Sequence, residues 1–416
     1  MTGIEYDDFI DLGYEPDEDE LVCRFRFEPA EGMSAEAAAS RIASESSNGT
    51  WAALQVDPDE LTHLGAVAFE IEGSEAAIAY PPALFESGSM PQILSCIAGN
   101  ILGMKAVDTL RLEDCEWPAS IVEGFPGPQY GPAVATEKLD AGGRPVLATV
   151  PKPKVGLSTA AHVRVGEDAW RGGVDLLKDD ENLTDQEFNP FEDRLTESLA
   201  ARDRIAESTG ERKGYLVNVT AETTAMLERV DRVAEAGGEF VMVDVITCGW
   251  AAVQTVRRRC ERHGLAIHAH RAMHAAFDRL PHHGVSMRVL AQIARLCGVD
   301  HIHTGTAGLG KLENEDTPGI NAWLAADCHG MTPVLPVASG GLHPGVVDRL
   351  LETLGTELIV QAGGGIHGHP DGTHAGARAL RAAVEASVDG VSLERRAEDH
   401  EPLAVALEKW GSEAPR

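Results

Sequence analysis

From residue 145 onward the chain repeats one unit: a short β-rich apolar run, a polar or glycine-rich end, then a stretch with helical spacing. The runs are PVLATVPKPK (145–154), VDLLKDDE (174–181), YLVNVTAE (215–222), FVMVDVITC (240–248), LAIHAHRAMH (265–274), DHIHTGT (300–306), PVLPVASGG (333–341) and ELIVQAGGG (357–365). Eight such units over about 270 residues predict a (β/α)8 TIM barrel, whose active site lies at the C-terminal ends of the strands. A doubly wound open sheet is the alternative. It calls for a phosphate-binding glycine loop after its first strand, and PVLATVPKPK has none.

The first 125 or so residues follow a different pattern. LVCRFRF (21–27), AVAFEIE (66–72) and TLRLED (109–114) alternate as strands with one buried face. SAEAAASRIASES, with Ser34 as N-cap, and PQILSCIAGNILG from Pro91 read as helices. The breaker-rich stretches PGPQYGP (126–132) and AGGRP (141–145) mark a boundary. The expected architecture is α/β: an N-terminal α+β, ferredoxin-like domain over 1–127, then a catalytic TIM barrel over 128–416.

Charge narrows the function classes. With 66 Asp and Glu against 35 Lys and Arg, the net charge is -31, which repels nucleic acid and anionic membranes. No run of about 18 apolar residues occurs and the acidic start lacks a secretory pattern, so the expected location is the cytoplasm. The seven cysteines form no CxxC pair, which argues against a disulfide framework or a thiolate zinc site. Only eight of the 35 basic residues are lysine. A surface so acidic and lysine-poor fits a salt-rich cytoplasm, where screening relieves self-repulsion.

Lysine scarcity makes the lysines informative. Four of the eight, Lys152, Lys154, Lys178 and Lys311, fall in three short segments at predicted strand ends. Side chains at i and i+2 share a strand face, and polar pairs recur at that spacing: Lys152/Lys154, Lys178/Asp180, His268/His270 and His301/His303. One pair alone would read as satisfied core; four at the same end of different strands predict a site. Ser339-Gly340-Gly341 and Gly363-Gly364-Gly365 end the last two strands, where barrel loops often bind phosphate, although two tight turns would look the same. Arg271 and His303 are candidates for a second anion site, and two such sites would suit a bisphosphorylated sugar. Asp180 and Glu181 are hard oxygen donors of the kind Mg²⁺ takes. Lys178 could join them if burial neutralised it and CO2 converted it to a carbamate. Taken alone, KDDE reads better as a salt-bridged charge run closing a strand.

Together, GGVDLLKDDEN, PKPKVGLS (151–158), HAHRAMH (268–274), DHIHTGT with GKLE (300–313), LPVASGG (335–341) and QAGGG (361–365) resemble the ribulose-1,5-bisphosphate carboxylase large subunit. ESSNGTW (45–51) and AGNILGMKA (98–106) extend the resemblance into the N-terminal domain. It implies a carboxylase that adds CO2 and water to ribulose 1,5-bisphosphate to give two 3-phosphoglycerates, with O2 as a side substrate. The resemblance further implies Mg²⁺ on carboxylated Lys178, Asp180 and Glu181, with Lys152, flanked by Lys154, as the base that takes the C3 proton. Lys311 would stabilise the new carboxylate and His270 would assist proton transfer. Arg271 and His303 resemble one phosphate site. Gly341, Gly363 and Gly364, with Thr50 and Trp51, resemble the other phosphate site, and Lys154, Ser339, Gly340 and Gln361 the remaining substrate contacts. Glu45 and Asn100 would complete a neighbouring subunit's site, making the protein a homo-oligomer built of dimers. Asp179 is left over, as the one acid of a solvated run.

The departures are local. The TGTAGLGKLEN loop is one residue longer than in plant enzymes, Asn314 stands where the family has glycine, and Asp371 stands where plants have tryptophan. These features and the acidity resemble most a form III enzyme of a halophilic archaeon, without a small subunit and serving AMP degradation. The competing readings are a carboxylase-like enolase or isomerase of methionine salvage, an amidohydrolase-type metal enzyme, and a non-catalytic binding protein. The first usually loses several of Lys152, Lys154, Lys178, His270, Arg271, His303, Lys311 and Ser339, all present here. The second needs its HxH pair on strand 1 rather than on the fifth run. The third gives no reason for lysines at strand ends.

Overall fold

The computed structural model describes residues 8–52, 61–310 and 316–414. Two compact units emerge. The first contains residues up to Pro126 together with Met273–Cys297 and Cys328–Met331, and the second contains Gly127–Ala272, Gly298–Asp327 and Thr332–Arg416.

In the first unit, strands β1 (Leu21–Pro29), β2 (Val67–Glu72), β3 (Glu75–Tyr80) and β4 (Val107–Glu116) pair antiparallel in the order β4-β1-β3-β2. Helix Ala35–Glu45 lies between β1 and β2 in sequence, and Met90–Ile97 between β3 and β4. This βαββαβ order is the ferredoxin-like arrangement expected. Ser34 caps the first helix, its side chain accepting from the Ala37 amide. A two-residue strand, β10 (Gly284–Val285), joins the β4 edge in parallel.

The second unit closes a parallel barrel from β5 (Val146–Thr149), β6 (Leu176–Lys178), β7 (Gly214–Asn218), β8 (Phe240–Asp244), β9 (Ala266–His270), β11 (His301–His303), β12 (Leu335–Ser339) and β13 (Ile359–Gln361). Every one of the eight runs supplies one strand. Their near-continuous apolar character follows from burial on both faces, the interior on one side and helices on the other. Val146, Ala148, Leu176, Leu216, Phe240, Met242, Ala266, Leu335, Val337 and Ile359 form one buried cluster drawn from seven strands, so these positions fill the interior. Leu147, Ala338 and Val360, one residue out of phase, pack instead with Leu350 and Leu380 of the outer helices. Among the described residues, no helix is long and apolar enough to cross a membrane.

Candidate active site

The interior phase can be followed to the strand ends. Two residues beyond Leu176, Leu216, Met242, Val337 and Ile359 stand Lys178, Asn218, Asp244, Ser339 and Gln361. On β9 and β11 the same phase runs through His268 and His270, and through His301 and His303. The apolar barrel interior thus gives way at its C-terminal mouth to a polar ring.

Lys178 is fully buried. Its amine donates to the Asp179 carbonyl at 2.8 Å and lies 3.8 Å from Glu181 Oε2. Burial holds it below the ordinary lysine value, against the opposing pull of Glu181, Asp244, Asp180 and Asp179. Asp180 Oδ2 accepts from Lys152 Nζ at 3.2 Å, while Oδ1 accepts from the Asn182 amide and side chain. Burial raises the Asp180 carboxyl, but these Asn182 donors and the Lys152 and Lys178 cations outweigh it and keep it below its usual range. In Glu181 burial is likewise outweighed, by Lys178 and then His270. Asp180 and Glu181 bring to this cluster the hard oxygen donors that could hold a cation such as Mg²⁺.

His270 Nδ1 lies 2.8 Å from Asp244 Oδ1 and 3.2 Å from the Ala272 amide nitrogen. A carboxylate only accepts, so the shorter contact requires Nδ1–H, which leaves the Nε2 lone pair 3.5 Å from Glu181 Oε2. Burial, with the Lys178 cation, holds this ring below the ordinary histidine value although the Asp244 bond opposes them. A neutral imidazole with a bare Nε2 can accept a proton. His303 bonds Ser339 Oγ through Nδ1 at 2.6 Å and His268 through Nε2 at 2.8 Å.

Other expected residues fall in the same unit. Arg271 is buried and directly follows β9, whereas Lys154 is exposed. Gly340 and Gly341 have φ of 112° and 99°, which side-chain-bearing residues rarely adopt. A Cβ on Gly363 would meet Lys152 Cε at 3.0 Å, so glycine there makes room for the lysine, and Gly364 faces open space. Gln361 is buried, and its Oε1 has no hydrogen-bond partner among the described residues. Lys311 lies outside the described residues, as do Glu313 and Asn314. In the first unit, Glu45 ends helix Ala35–Glu45, Asn100 is exposed, and Trp51 is 82% exposed one residue after Thr50.

Asp179 overturns one expectation. It is fully buried rather than solvated, accepting from Arg194 Nε at 3.1 Å, Tyr215 Oη at 2.7 Å and the Asn218 amide at 3.0 Å. Its face of β6 is covered by the helix layer, as both faces of a parallel barrel strand are. Asn218 and Asp244 were also missed, although extending the i+2 phase of Leu216 and Met242 finds both. No comparable signal marks Thr149 and His367. His367 Nε2 lies 3.0 Å from Thr149 Oγ1, and burial, then Lys152, pushes its imidazole down to about 4 against a Val150 backbone bond.

The fold and site define a (β/α)8 protein of the enzyme type, with a buried amine flanked by carboxylates at the barrel mouth. Residues 132–410 match the model of the ribulose bisphosphate carboxylase large chain catalytic domain, and residues 8–121 that of the same chain's N-terminal domain. The chain belongs to this family. It is 48% identical to a ribulose bisphosphate carboxylase of Pyrococcus abyssi, over 99% of this chain and 98% of that one. Among solved structures it resembles an octameric ribulose-1,5-bisphosphate carboxylase/oxygenase of Pyrococcus horikoshii in complex with sulfate, with a TM-score of 0.95, 48% identity and coverage of 98% and 97%. A dimeric archaeal Rubisco of Hyperthermus butylicus gives a TM-score of 0.92 at 46% identity, with coverage of 98% and 99%.

Proposed function

We propose that this chain is a ribulose-1,5-bisphosphate carboxylase, adding CO2 and water to the bisphosphate to yield two 3-phosphoglycerates, with O2 competing. The observation that carries the reading is the fully buried Lys178 amine, 3.8 Å from Glu181 and followed by Asp180, at a barrel mouth in a chain of this family. Among the described residues no three His, Cys, Asp or Glu side chains cluster as a metal site. An amine biased toward its neutral form by burial is the form that attacks CO2; as the N–C bond forms one N–H proton is released, and the resulting carbamate would supply a third anionic donor beside Asp180 and Glu181. The residues fit Mg²⁺ on carboxylated Lys178, Asp180 and Glu181. Bound there, the ion supplies Lewis-acid stabilisation of negative charge on substrate oxygens.

The protein's own groups take the proton steps. Lys152, within reach of Asp180, removes the C3 proton; His270, with its bare Nε2, serves proton transfer during hydration and cleavage. Arg271 holds one phosphate beside the imidazole of His303, whose two ring nitrogens are taken by Ser339 and His268, with Lys154 as an additional cation at the rim. The backbone of Ser339, Gly340, Gly341, Gly363 and Gly364 holds the rest of the substrate, with Gln361 alongside. Lys311 stabilises the carboxylate formed from CO2. Glu45, Thr50, Trp51 and Asn100 complete the site of a second copy, so the active species is a dimer or a larger assembly of dimers without a small subunit. The exposure of Trp51 supports that arrangement. Degradation of AMP supplies the substrate, which a deletion strain unaffected for growth on nucleosides would contradict.

The test is production of 3-phosphoglycerate from ribulose bisphosphate in high salt, dependent on both Mg²⁺ and bicarbonate. Folded protein that forms none overturns the reading. Gel filtration of the active species separates the oligomer question, because activity eluting as a monomer would refute the shared site alone.

A further inference from the structure

His268 and His303 meet Nε2 to Nε2 at 2.8 Å, and His303 Nδ1 lies 2.6 Å from Ser339 Oγ. Both nitrogens of His303 are thus engaged within the barrel. His301 packs edge-on against the His268 ring, centroids 5.6 Å apart at 71°, and helps fix its orientation. Burial keeps both bonded imidazoles neutral.

Two neutral imidazoles joined nitrogen to nitrogen share a single proton, so two arrangements exist. In the first, His268 Nε2–H donates to His303, His303 Nδ1–H donates to Ser339, and the Ser339 hydroxyl hydrogen remains to donate toward the mouth. In the second, every donor reverses: Ser339 donates to His303, His303 donates to His268, and the His268 proton moves to Nδ1. His268 is fully buried, and Nδ1 has no hydrogen-bond partner among the described residues. The second arrangement strands an N–H in the core, whereas the first leaves only an unused lone pair there. Orphaned buried N–H groups are the rarer of the two.

We propose that His268 is a positioning residue which, through His303, holds the Ser339 hydroxyl as a hydrogen-bond donor toward the substrate. Phosphate oxygens accept hydrogen bonds, and sugar hydroxyl and carbonyl oxygens can also accept them, so a donor at this point matches a sugar phosphate. The consequence for substrate rests on the carboxylase reading; the proton arrangement rests on the geometry alone.

Neutron diffraction from deuterium-exchanged crystals of the full chain locates the protons directly. Deuterium on His268 Nε2 and His303 Nδ1 is the expected result, and deuterium on His268 Nδ1 and His303 Nε2 overturns the proposal. In kinetics, His268→Leu removes the donor and is expected to raise KM for ribulose bisphosphate roughly tenfold, with a smaller change in kcat. His268→Gln keeps an amide donor and should restore KM to within about threefold of the parent. Ser339→Ala should raise KM comparably, and adding His268→Leu to it should raise KM no further, because both act through one hydroxyl. A parental KM in folded His268→Leu, or additive effects in the double variant, refutes the relay. Should His268→Leu fail to fold, the neutron map still decides. If the parent enzyme makes no 3-phosphoglycerate, the carboxylase reading fails while the proton positions remain a separate result.

Discussion

The sheet of the first unit and the mouth of the barrel are built from the same charged residue types, arranged to opposite ends. On β1, Arg24 pairs with Glu116 at 2.9 Å and Arg26 with Glu75 at 3.3 Å, with side chains between 42% and 64% exposed. At the end of β6, Lys178 and Asp179 are completely buried, as is Arg194, which pairs with Asp179 from helix Phe191–Thr209. Water screens the first set, and its members lose little if a partner leaves. The second set has given up hydration, so each charge depends on specific neighbours, and a single lysine there is biased toward a neutral, reactive amine. Burial, more than charge content, separates a solvated face from a chemical site.

The sharpest way to break the comparison is Lys178→Met, which fills the same buried space without an amine. Carboxylation is expected to fall by at least about 10³-fold, since on the proposed function Mg²⁺ would lose a ligand needed for several kcal/mol of transition-state stabilisation. Circular dichroism and oligomer size should be unchanged. Next in size is Asp179→Ala, which leaves Arg194 buried without its carboxylate and should destabilise the fold by about 3–5 kcal/mol. The guanidinium unfolding midpoint measures it. A loss no greater than that of an exposed pair would show that the burial contrast carries no energetic weight.

Asp179 also shows where sequence reading stops. The alternation rule put it correctly on the face of β6 opposite Lys178, but which face water reaches is decided by helices distant in sequence. Helix Phe191–Thr209 brings Arg194, and β7 brings Tyr215. The eight barrel strands were readable because each is a dense β-branched or aliphatic run, and Lys178, His270 and His303 because polar residues ending such runs stand out. Strand β3, EAAIAY, was missed because alanine is a weak strand former; its place comes from pairing with β1 and β2. Helix Met287–Cys297 belongs with the first unit although it follows the fifth barrel strand in sequence, a tertiary preference no local pattern carries.

The barrel's buried histidines predict a pH dependence that the exposed sheet pairs do not share. Burial pushes His301 down to about 3; it pushes His162 down to about 4, aided by Arg194 and opposed by Asp179. Their folded values lie below the unfolded value of about 6.5, so between the two the unfolded chain binds more protons. Their contribution to stability is complete above about pH 6.5 and is lost as pH falls toward 4, at up to about 1.4 kcal/mol per pH unit for each ring. Unfolding midpoints at pH 7, 6 and 5 should trace that slope, and His301→Leu should lower it by one ring's share. An unchanged slope would mean that His301 is already accessible to protons in the folded barrel.

The smallest effect tests the other side of the contrast. Arg24→Gln, Glu116→Gln and the double variant form a cycle whose coupling should be about 0.2–1 kcal/mol, because both side chains keep water contact and must be ordered to meet. With a net charge of -31, removing Glu116 also relieves repulsion, so Glu116→Gln alone should be nearly neutral while Arg24→Gln is mildly destabilising. Raising the salt should shrink the coupling, since ions screen exposed pairs within about 3 Å at molar concentration. It should leave the Asp179→Ala loss almost intact, because ions do not enter the space between Asp179 and Arg194. Measuring both variants by unfolding at low and molar salt separates the cases: equal salt sensitivity at the two sites would mean that exposure does not govern how these charges act.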